Sequence, residues 1–180
     1  MALRDIITWP HPVLKTLAKP VERVDDGVKR LIEDMVETMY AAPGVGLAAP
    51  QVAQALRLAV IDVGVQEEKP GPKLVVLVNP KIVAREGTVI WTEGCLSVPE
   101  LEEEIERSAT VTVEAVDREG KDFRLDADGL LAVAIQHELD HLDGVTIADK
   151  ISFLKRKLYL QKLKKGKIGT GKPREKRSAI

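Results

Sequence analysis

Long apolar runs, cysteines and aromatic residues are all scarce in this chain of 180 residues. No apolar run approaches the roughly 20 residues that a membrane-spanning helix needs. The N-terminal segment has an acid, Asp5, and prolines where a signal peptide would be apolar, so the sequence predicts a cytoplasmic protein. Aromatic residues make up 3% of the chain, so we expect a core built mainly from Val, Ile, Leu and Ala. Hydrophobic residues at 44% and charged residues at 31% indicate a soluble globular protein whose length suits one domain.

The chain has one cysteine, Cys95, which excludes an internal disulfide framework. A lone cysteine can serve as a small buried hydrophobe, as a nucleophile or as a metal ligand. The position of Cys95 alone does not distinguish these roles, so the prediction depends on the other residues of the sequence.

The formal net charge of −1 hides a strong asymmetry. Residues 155–177 contain eleven basic residues and one acidic residue, a net charge of +10, which leaves −11 on the rest of the chain. An acidic body with a basic C-terminal arm suggests a polyanionic partner for the arm. The alternative is a solvated helix and a loose tail that only aid solubility.

Apolar spacing predicts three helices. In residues 25–41, apolar side chains recur every three and four positions, an aspartate can cap the start, and Pro43 stops the helix. Residues 127–142 are apolar nearly all round, which predicts a central buried helix that Gly144 can close. A third, basic helix is predicted over residues 150–165.

Short alternating stretches separated by polar turns predict several strands. They are predicted at residues 56–63, 74–78, 82–84, 89–91, 110–116 and 123–125. Asn79-Pro80 is expected to end the second, and the last two predict a hairpin. The expected fold class is α+β, with mostly antiparallel β-sheets packed around the central buried helix, an N-terminal helix and a C-terminal basic helix. We expect residues 1–165 to form a single domain and residues 166–180 a basic, disordered tail.

The strongest chemical signal is His137-Glu138-Leu139-Asp140-His141 in the second helix. Histidines four residues apart lie on one helix face, so both imidazoles can bind one metal ion. Glu138 lies beside the first histidine, where it can take a proton from a water held by the metal. Two imidazoles and a carboxylate on an otherwise apolar helix would be costly without partners, which argues against a chance match. The remaining histidine, His11, has no such context and is interpreted as an ordinary loop residue.

A catalytic site of this type needs a third protein ligand. In zincin proteases the third ligand is a downstream Glu or His, and the nearest acids after His141 here are Asp143 and Asp149. Upstream, Glu93-Gly94-Cys95-Leu96-Ser97 holds the single cysteine. One thiolate and two imidazoles give three ligands and leave a position for water, which favours the metal-ligand role for Cys95.

A third segment, Gly44-Val45-Gly46-Leu47-Ala48-Ala49-Pro50-Gln51, lacks the Gly-Lys-Ser/Thr ending of a phosphate loop. The segments GVGLAAPQ, EGCLS and QHELDH, in this order and with these separations, resemble the three signature motifs of peptide deformylases. The similarity includes the flanking sequence and spans residues 4–150. The resemblance implies a hydrolase that removes the formyl group, as formate, from the N-terminal formylmethionine of newly synthesised proteins.

By this resemblance, Cys95, His137 and His141 hold one divalent metal ion, natively Fe²⁺ in bacterial members. Zn²⁺, Ni²⁺ or Co²⁺ can occupy the same kind of site, because a thiolate with two imidazoles suits several of these ions. Glu138 would act as general base toward the attacking water and then as general acid toward the departing amine.

The resemblance also assigns the residues around the formyl group. The Gln51 side-chain amide and the Leu96 backbone N–H would stabilise the negative charge on the formyl oxygen, and Gly46 belongs to the same catalytic set. An apolar pocket would take the methionine side chain. It would be lined by the ring of His137 and by Val45, Trp91, Leu130, Val133 and Ala134.

This sequence departs from the family pattern at Glu102, where many bacterial relatives carry an Arg that contacts the substrate backbone. The departure leaves the preference for peptide sequence open. The basic arm resembles the C-terminal extension with which bacterial deformylases contact the ribosome, and phosphate-rich RNA would attract its charge. No membrane contact is expected. Two other functions stay open at this point: a zincin-like endopeptidase, and a non-catalytic protein that binds metal or RNA.

Overall fold

A capping aspartate and regular apolar spacing define the first helix, α1, at Asp26–Ala41, as the sequence predicts. Asp25 Oδ1 accepts a hydrogen bond of 2.9 Å from the backbone N–H of Val28, which is the usual N-cap contact. The buried face of the helix includes Leu31, Ile32, Met35 and Met39. This face packs on β-strands, so the helix is held by its apolar stripe more than by intrinsic propensity.

The structure is a computed structural model that describes residues 2–64 and 74–168. Short 3₁₀ helices cover Pro12–Lys15 and Ala49–Val52. The strands are β1 Gly46–Ala48, β2 Leu58–Ile61, β3 Val75–Glu86, β4 Val89–Cys95, β5 Val98–Arg107, β6 Thr110–Val116 and β7 Asp122–Asp128. The helices that follow α1 are α2 Gly129–Leu142, α3 Ile147–Lys150 and α4 Phe153–Lys164.

The strands described form two antiparallel sheets. One has five strands in the order β1-β2-β3-β6-β7, and the other pairs β4 with β5. The predicted hairpin is confirmed as β6–β7. In the β4–β5 hairpin, Cys95 lies opposite Val98, so Leu96 and Ser97 form a two-residue turn. Antiparallel sheets with few helices confirm the predicted α+β class.

Helix α2 lies against the five-stranded sheet. It packs on β1, β2, β6 and β7 and is buried along most of its length. Gly144 follows the helix with φ 75°, the left-handed conformation that glycine adopts at low cost, and its N–H donates to the carbonyl of His141. The shared core of helix and sheet consists of Val, Ile, Leu and Ala, as the low aromatic content predicts.

Several predicted boundaries differ from the structure, and two of these differences have a physical reason. Strand β3 runs through Asn79-Pro80 because Asn79 adopts φ 52° and its side chain exchanges two hydrogen bonds of 2.8 Å with the backbone of Val21. The register with β6 shifts at this point, so the strand is bulged there and continues. The third predicted helix is found as α4, but it begins at Phe153 and not at residue 150. Ile151 is extended, the side chain of Ser152 caps α4, and Lys150 belongs to the separate short helix α3.

Among the residues described, every helix is too short or too polar to span a bilayer. A single domain over residues 1–165 stays a prediction. Of the tail predicted to be disordered, residues 169–180 lie outside the described residues.

Candidate metal centre

Three side chains predicted as metal ligands converge at the interface between α2 and the β4–β5 hairpin. Cys95 ends β4, and His137 and His141 project from successive turns of α2. One ligand atom from each lies within 4.8 Å of the other two, and all three residues are buried. The helical spacing of four residues puts both imidazoles on the face that meets the cysteine.

The hydrogen bonding of these residues fits a bound cation. Within the described chain, His137 Nε2, His141 Nδ1 and both carboxylate oxygens of Glu138 are buried without a hydrogen-bond partner. Cys95 Sγ lies 3.2 Å from His141 Nε2. Buried polar atoms normally have partners, and a divalent ion bound by thiolate and imidazole would supply one for His137 Nε2.

Burial also affects the protonation of the candidate ligands. Burial raises the pKa of the Cys95 thiol, and burial with the neighbouring His137 lowers the pKa of His141 well below its usual range. Both groups are therefore neutral in the protein alone. A coordinating divalent cation reverses this for the thiol, because it deprotonates a thiol that binds to it.

A buried ion pair behind the cluster orients His137. Its Nδ1 lies 2.8 Å from Glu93 Oε2, and Arg107 donates to both oxygens of Glu93 at 2.6 and 2.8 Å. Burial opposes the charge on Glu93, but the hydrogen bonds from Arg107 and His137 outweigh it and lower the pKa of this carboxyl. The contact fixes the proton on Nδ1 and leaves Nε2 free for a metal, as in other carboxylate–histidine–metal arrangements.

Glu93 belongs to one of the three motifs, but the sequence assigns no role to it or to Arg107. A signal was available, because Glu93 and Cys95 are two residues apart on a strand and so share a face. Arg107 could not be found this way, since it lies fourteen residues from Glu93 and meets it only through the β4–β5 hairpin. Asp140 also accepts from Arg107, at 2.6 Å.

Glu138 is fully buried between the metal cluster and strand β1. Burial and the charge of Glu93 raise its pKa well above the usual range. A Cβ added to Gly46 would overlap Glu138 Oε1 and lie 2.9 Å from its Cδ. Glycine is therefore required at position 46 for the carboxylate to occupy this position.

Gln51 also reaches the cluster. Its Oε1 accepts a hydrogen bond of 2.8 Å from the backbone N–H of Ala48, and its Nε2 donates to Ser97 Oγ at 3.1 Å. The same Nε2 lies 3.8 Å from Cys95 Sγ. Leu96, the other residue predicted to act here, lies between Cys95 and Ser97 in the hairpin turn.

The residues predicted to line a methionine pocket meet in one apolar cluster. It joins the start of α2 to β1 and β4, and the half-buried Trp91 packs against it. The buried members are Val45, Leu130, Val133 and Ala134. Glu102 lies on β5 opposite Gly94, next to the ligand Cys95.

Two other features lie outside the centre. His11 is exposed at the start of a 3₁₀ helix, where its Nδ1 accepts a hydrogen bond from Val13, in agreement with the loop interpretation. A polar cleft of about 490 Å³ includes Arg107 and Asp140 but none of the three candidate ligands. Other charged residues that line this cleft include Arg57 and Lys150, which form ion pairs with Asp143 and Asp140.

Comparison with known proteins decides the family. The profile of the polypeptide deformylase family matches residues 3–157. The chain belongs to this family. It is therefore a metal-dependent hydrolase that removes the N-formyl group from newly synthesised peptides, and the alternatives of an endopeptidase or a non-catalytic binding protein are set aside.

Individual relatives agree over almost the whole chain. A peptide deformylase of Syntrophobacter fumaroxidans is 48% identical over 165 residues, which cover 92% of this chain and 96% of the relative. One from Desulfosudis oleivorans is 51% identical, over 92% and 95% of the two chains. The crystal structure of a Legionella pneumophila peptide deformylase superposes with a TM-score of 0.84 at 46% identity, over 92% and 96%. The crystal structure of the Ehrlichia chaffeensis peptide deformylase in complex with actinonin superposes with a TM-score of 0.85 at 37% sequence identity. The match covers 92% of this chain and 98% of that chain.

Proposed function

We propose that Cys95, His137 and His141 hold a single divalent cation, Fe²⁺ in the cell, and that the sheets pack around helix α2 as the central support of the site. The observation that carries the proposal is the convergence of the three ligand atoms within 4.8 Å, beside an imidazole nitrogen that has no other partner among the described residues. When bound, such a cation acidifies a water molecule and polarises the formyl carbonyl.

Glu138 is the proton carrier in this proposal. Its carboxylate has no other hydrogen-bond partner in the described structure, and a raised pKa suits a group that must both accept and release a proton. Glu138 takes a proton from the attacking water and delivers it to the amine of methionine. The C–N bond of the formamide breaks, and formate and the free peptide N-terminus are the products.

The Gln51 amide and the Leu96 backbone N–H supply fixed donors for the negative charge that develops on the formyl oxygen. The position of Gln51 Nε2, 3.8 Å from the Cys95 sulfur, supports this role because the reacting group has to lie beside the ligands. Donors held rigidly in a buried site stabilise developing charge without reorganising. Gly46 contributes by letting Glu138 approach β1.

The apolar cluster beside α2 binds the methionine side chain of the substrate. Val45, Leu130, Val133 and Ala134 are buried together there, and Trp91 closes the cluster from β4. Apolar lining with few polar groups suits a thioether side chain. One domain over residues 1–165 carries all of these groups.

The basic C-terminal region binds the ribosome, which places the enzyme in the cytoplasm next to new peptides. Helix α4 presents exposed lysines, and the chain beyond it is also basic. Contacts with RNA phosphates release counterions, so we expect the affinity for ribosomes to fall steeply with salt. Sedimentation with ribosomes at two salt concentrations tests this. The control replaces the exposed Lys162, Lys164 and Lys165 by alanine and keeps the buried Tyr159 of α4.

The experiment that tests the catalytic proposal measures formate released from formyl-Met-Ala-Ser by metal-loaded protein. We expect Glu138→Ala to keep its metal and lose nearly all turnover, and a chelator to abolish turnover of the wild type. A casein digest runs beside it, and cleavage of casein without formate release would contradict the proposal. Loss of metal from Glu138→Ala would show instead that Glu138 is a ligand.

A further inference from the structure

We propose that Ser97 is a positioning residue for deformylation that orients the side-chain amide of Gln51; this rests on the role proposed above for Gln51. The Ser97 hydroxyl accepts the hydrogen bond from Gln51 Nε2 at 3.1 Å. Both side chains are buried, with 0% of Ser97 and 1% of Gln51 exposed. Water is therefore not available to replace this bond if the hydroxyl is removed.

The two ends of the Gln51 amide are held by different partners. Its oxygen accepts from the Ala48 N–H, and one of its two N–H groups donates to Ser97. The amide is planar, so these two contacts leave one N–H to point toward the cluster, on the side where Cys95 Sγ lies at 3.8 Å. The terminal torsion of glutamine has broad minima, and without Ser97 this N–H would no longer be fixed.

The backbone already holds the two residues side by side. Two residues of one short N-terminal segment bind them both. The Ile7 N–H donates to the Gln51 carbonyl and the Trp9 N–H donates to the Ser97 carbonyl, each at 2.7 Å. Ser97 also belongs to the two-residue turn that follows the ligand Cys95. Replacing Ser97 by alanine removes only the hydroxyl, because these backbone contacts do not depend on it.

A double-mutant cycle tests whether Ser97 acts through Gln51. Ser97→Ala, Gln51→Ala and the double variant are loaded with Zn²⁺, assayed for metal content, and measured for kcat and KM on formyl-Met-Ala-Ser. We expect Gln51→Ala to lower kcat about 10²–10³-fold, as for other lost oxyanion donors. Ser97→Ala should lower kcat about tenfold with KM and metal content unchanged. The double variant should match Gln51→Ala, because the contact is then already lost.

A spectroscopic measurement reports on the amide itself. In the ¹H–¹⁵N spectrum of the Zn²⁺-loaded protein, the Gln51 NH₂ pair is identified as the signal absent from Gln51→Ala. We expect both protons to exchange slowly with solvent in the wild type, and one of them to shift upfield in Ser97→Ala. This part of the test needs only the wild type if Ser97→Ala does not fold, and rapid exchange of both protons with solvent in the wild type would overturn the proposal.

Thr38→Val is the matched control, since it removes a buried hydroxyl of α1 that is bonded to the Asp34 carbonyl, far along the chain from the site. It should lower the unfolding temperature and leave kcat unchanged. Ser97 would be purely structural, and the proposal overturned, if Ser97→Ala behaved like Thr38→Val or if its loss of kcat multiplied that of Gln51→Ala. If Gln51→Ala itself kept the wild-type kcat, the role proposed for Gln51 would fail as well.

Discussion

Helices α2 and α4 both carry several polar or charged residues, but α2 buries them and α4 exposes them. Gln136, His137, Glu138 and His141 of α2 are each at most 4% exposed, whereas the lysines of α4 lie in solvent. A solvated charge costs little and its position says little about function. A buried polar group needs a partner, so each one on α2 has to be accounted for.

Two residues of α2, Gln136 and Glu138, show how hydrogen-bond partners help to locate the site. Gln136 has a partner for each end of its amide, since Oε1 accepts from Arg85 and from the Ser108 N–H, and Nε2 donates to the carbonyls of Ser108 and Ala132. Two residues later, neither carboxylate oxygen of Glu138 has a partner in the described part of the chain. The same helix therefore holds one polar residue with a full set of partners and one without, and the second is the residue proposed above as the proton carrier.

The β4–β5 hairpin connects the two helices through a pair of glutamates. Glu93 and Glu103 lie opposite each other in register. Glu93 contacts His137 of α2, whereas Glu103 forms an ion pair with Lys155 of α4 at 2.7 Å. Two carboxylates of the same hairpin thus allow the buried and the exposed environment to be compared directly.

The largest effect is expected from Glu93→Ala. The change removes the acceptor of His137 Nδ1 and of two N–H groups of the buried Arg107, which keeps only its bond to Asp140 among the described residues. We therefore expect the free energy of unfolding to fall by about 3–5 kcal/mol. Metal affinity should fall about 10–100-fold, because the ring of His137 is no longer oriented. Urea unfolding and a competition titration with a chelating dye measure the two effects. Glu103→Ala is the control, and equal losses in both variants would contradict the comparison.

Gly46→Ala is expected to have the next largest effect, and it acts on activity. The new methyl group would occupy space held by the Glu138 carboxylate, which has to move. Displacing a catalytic group by about 1 Å can cost about 10² in rate, so we expect kcat to fall about 100-fold with the metal retained. Gly27→Ala, in the first turn of α1, meets only Asp25 Oδ1 at 3.2 Å and should keep full activity. Wild-type kcat in Gly46→Ala would show that Glu138 does not work from this position.

Much of the site was predictable from sequence because its ligands come in short spacings. The i, i+4 pair His137 and His141 implies a shared helix face, whatever the rest of the fold. The prediction of Cys95 as the third ligand depended on two other observations: the chain has a single cysteine, and three motifs resemble those of one family. No local rule relates residues more than forty positions apart. The sequence assigns no role to Glu93, Arg107 or Ser97, because their contacts form only in the folded chain. Glu93 and Arg107 meet His137 and Asp140 of α2, and Ser97 meets Gln51.

The same limit explains the errors in the fold. Local patterns were sufficient for α1 and for the β6–β7 hairpin, where the partners are adjacent in sequence. They failed at Asn79-Pro80, which usually ends a strand, because the contact that carries β3 through this point comes from Val21. They also failed at Ile151, where an apolar residue continues a helical pattern but the backbone is extended.

A smaller effect is expected at Asp34, a buried acid of α1. The Ala2 N–H and the Arg4 guanidinium lower the pKa of Asp34 below its ordinary value of 3.8. A folded-state pKa below the unfolded one gives stability that is present above the unfolded pKa and lost as pH falls through the folded pKa. Asp34→Asn should therefore cost about 1 kcal/mol at pH 7, and this difference should shrink as the pH falls below 3.8, as judged by urea midpoints across that range. A constant difference at all pH values would exclude the ionised carboxylate as the cause.

The smallest effect is expected on α4, at Lys155. Its ion pair with Glu103 joins a lysine side chain that is 58% exposed to a carboxylate that is 20% exposed, so water and salt screen the attraction. We expect Lys155→Met to change the free energy of unfolding by about 0–1 kcal/mol at low salt, and 1 M NaCl should remove the difference. Parallel urea titrations of wild type, Lys155→Met, Glu103→Gln and the double variant give the coupling energy of the pair. A coupling energy for Lys155 and Glu103 as large as the loss of unfolding free energy expected for Glu93→Ala would contradict the comparison. It would mean that burial does not explain the difference between the polar contacts of α2 and those of α4.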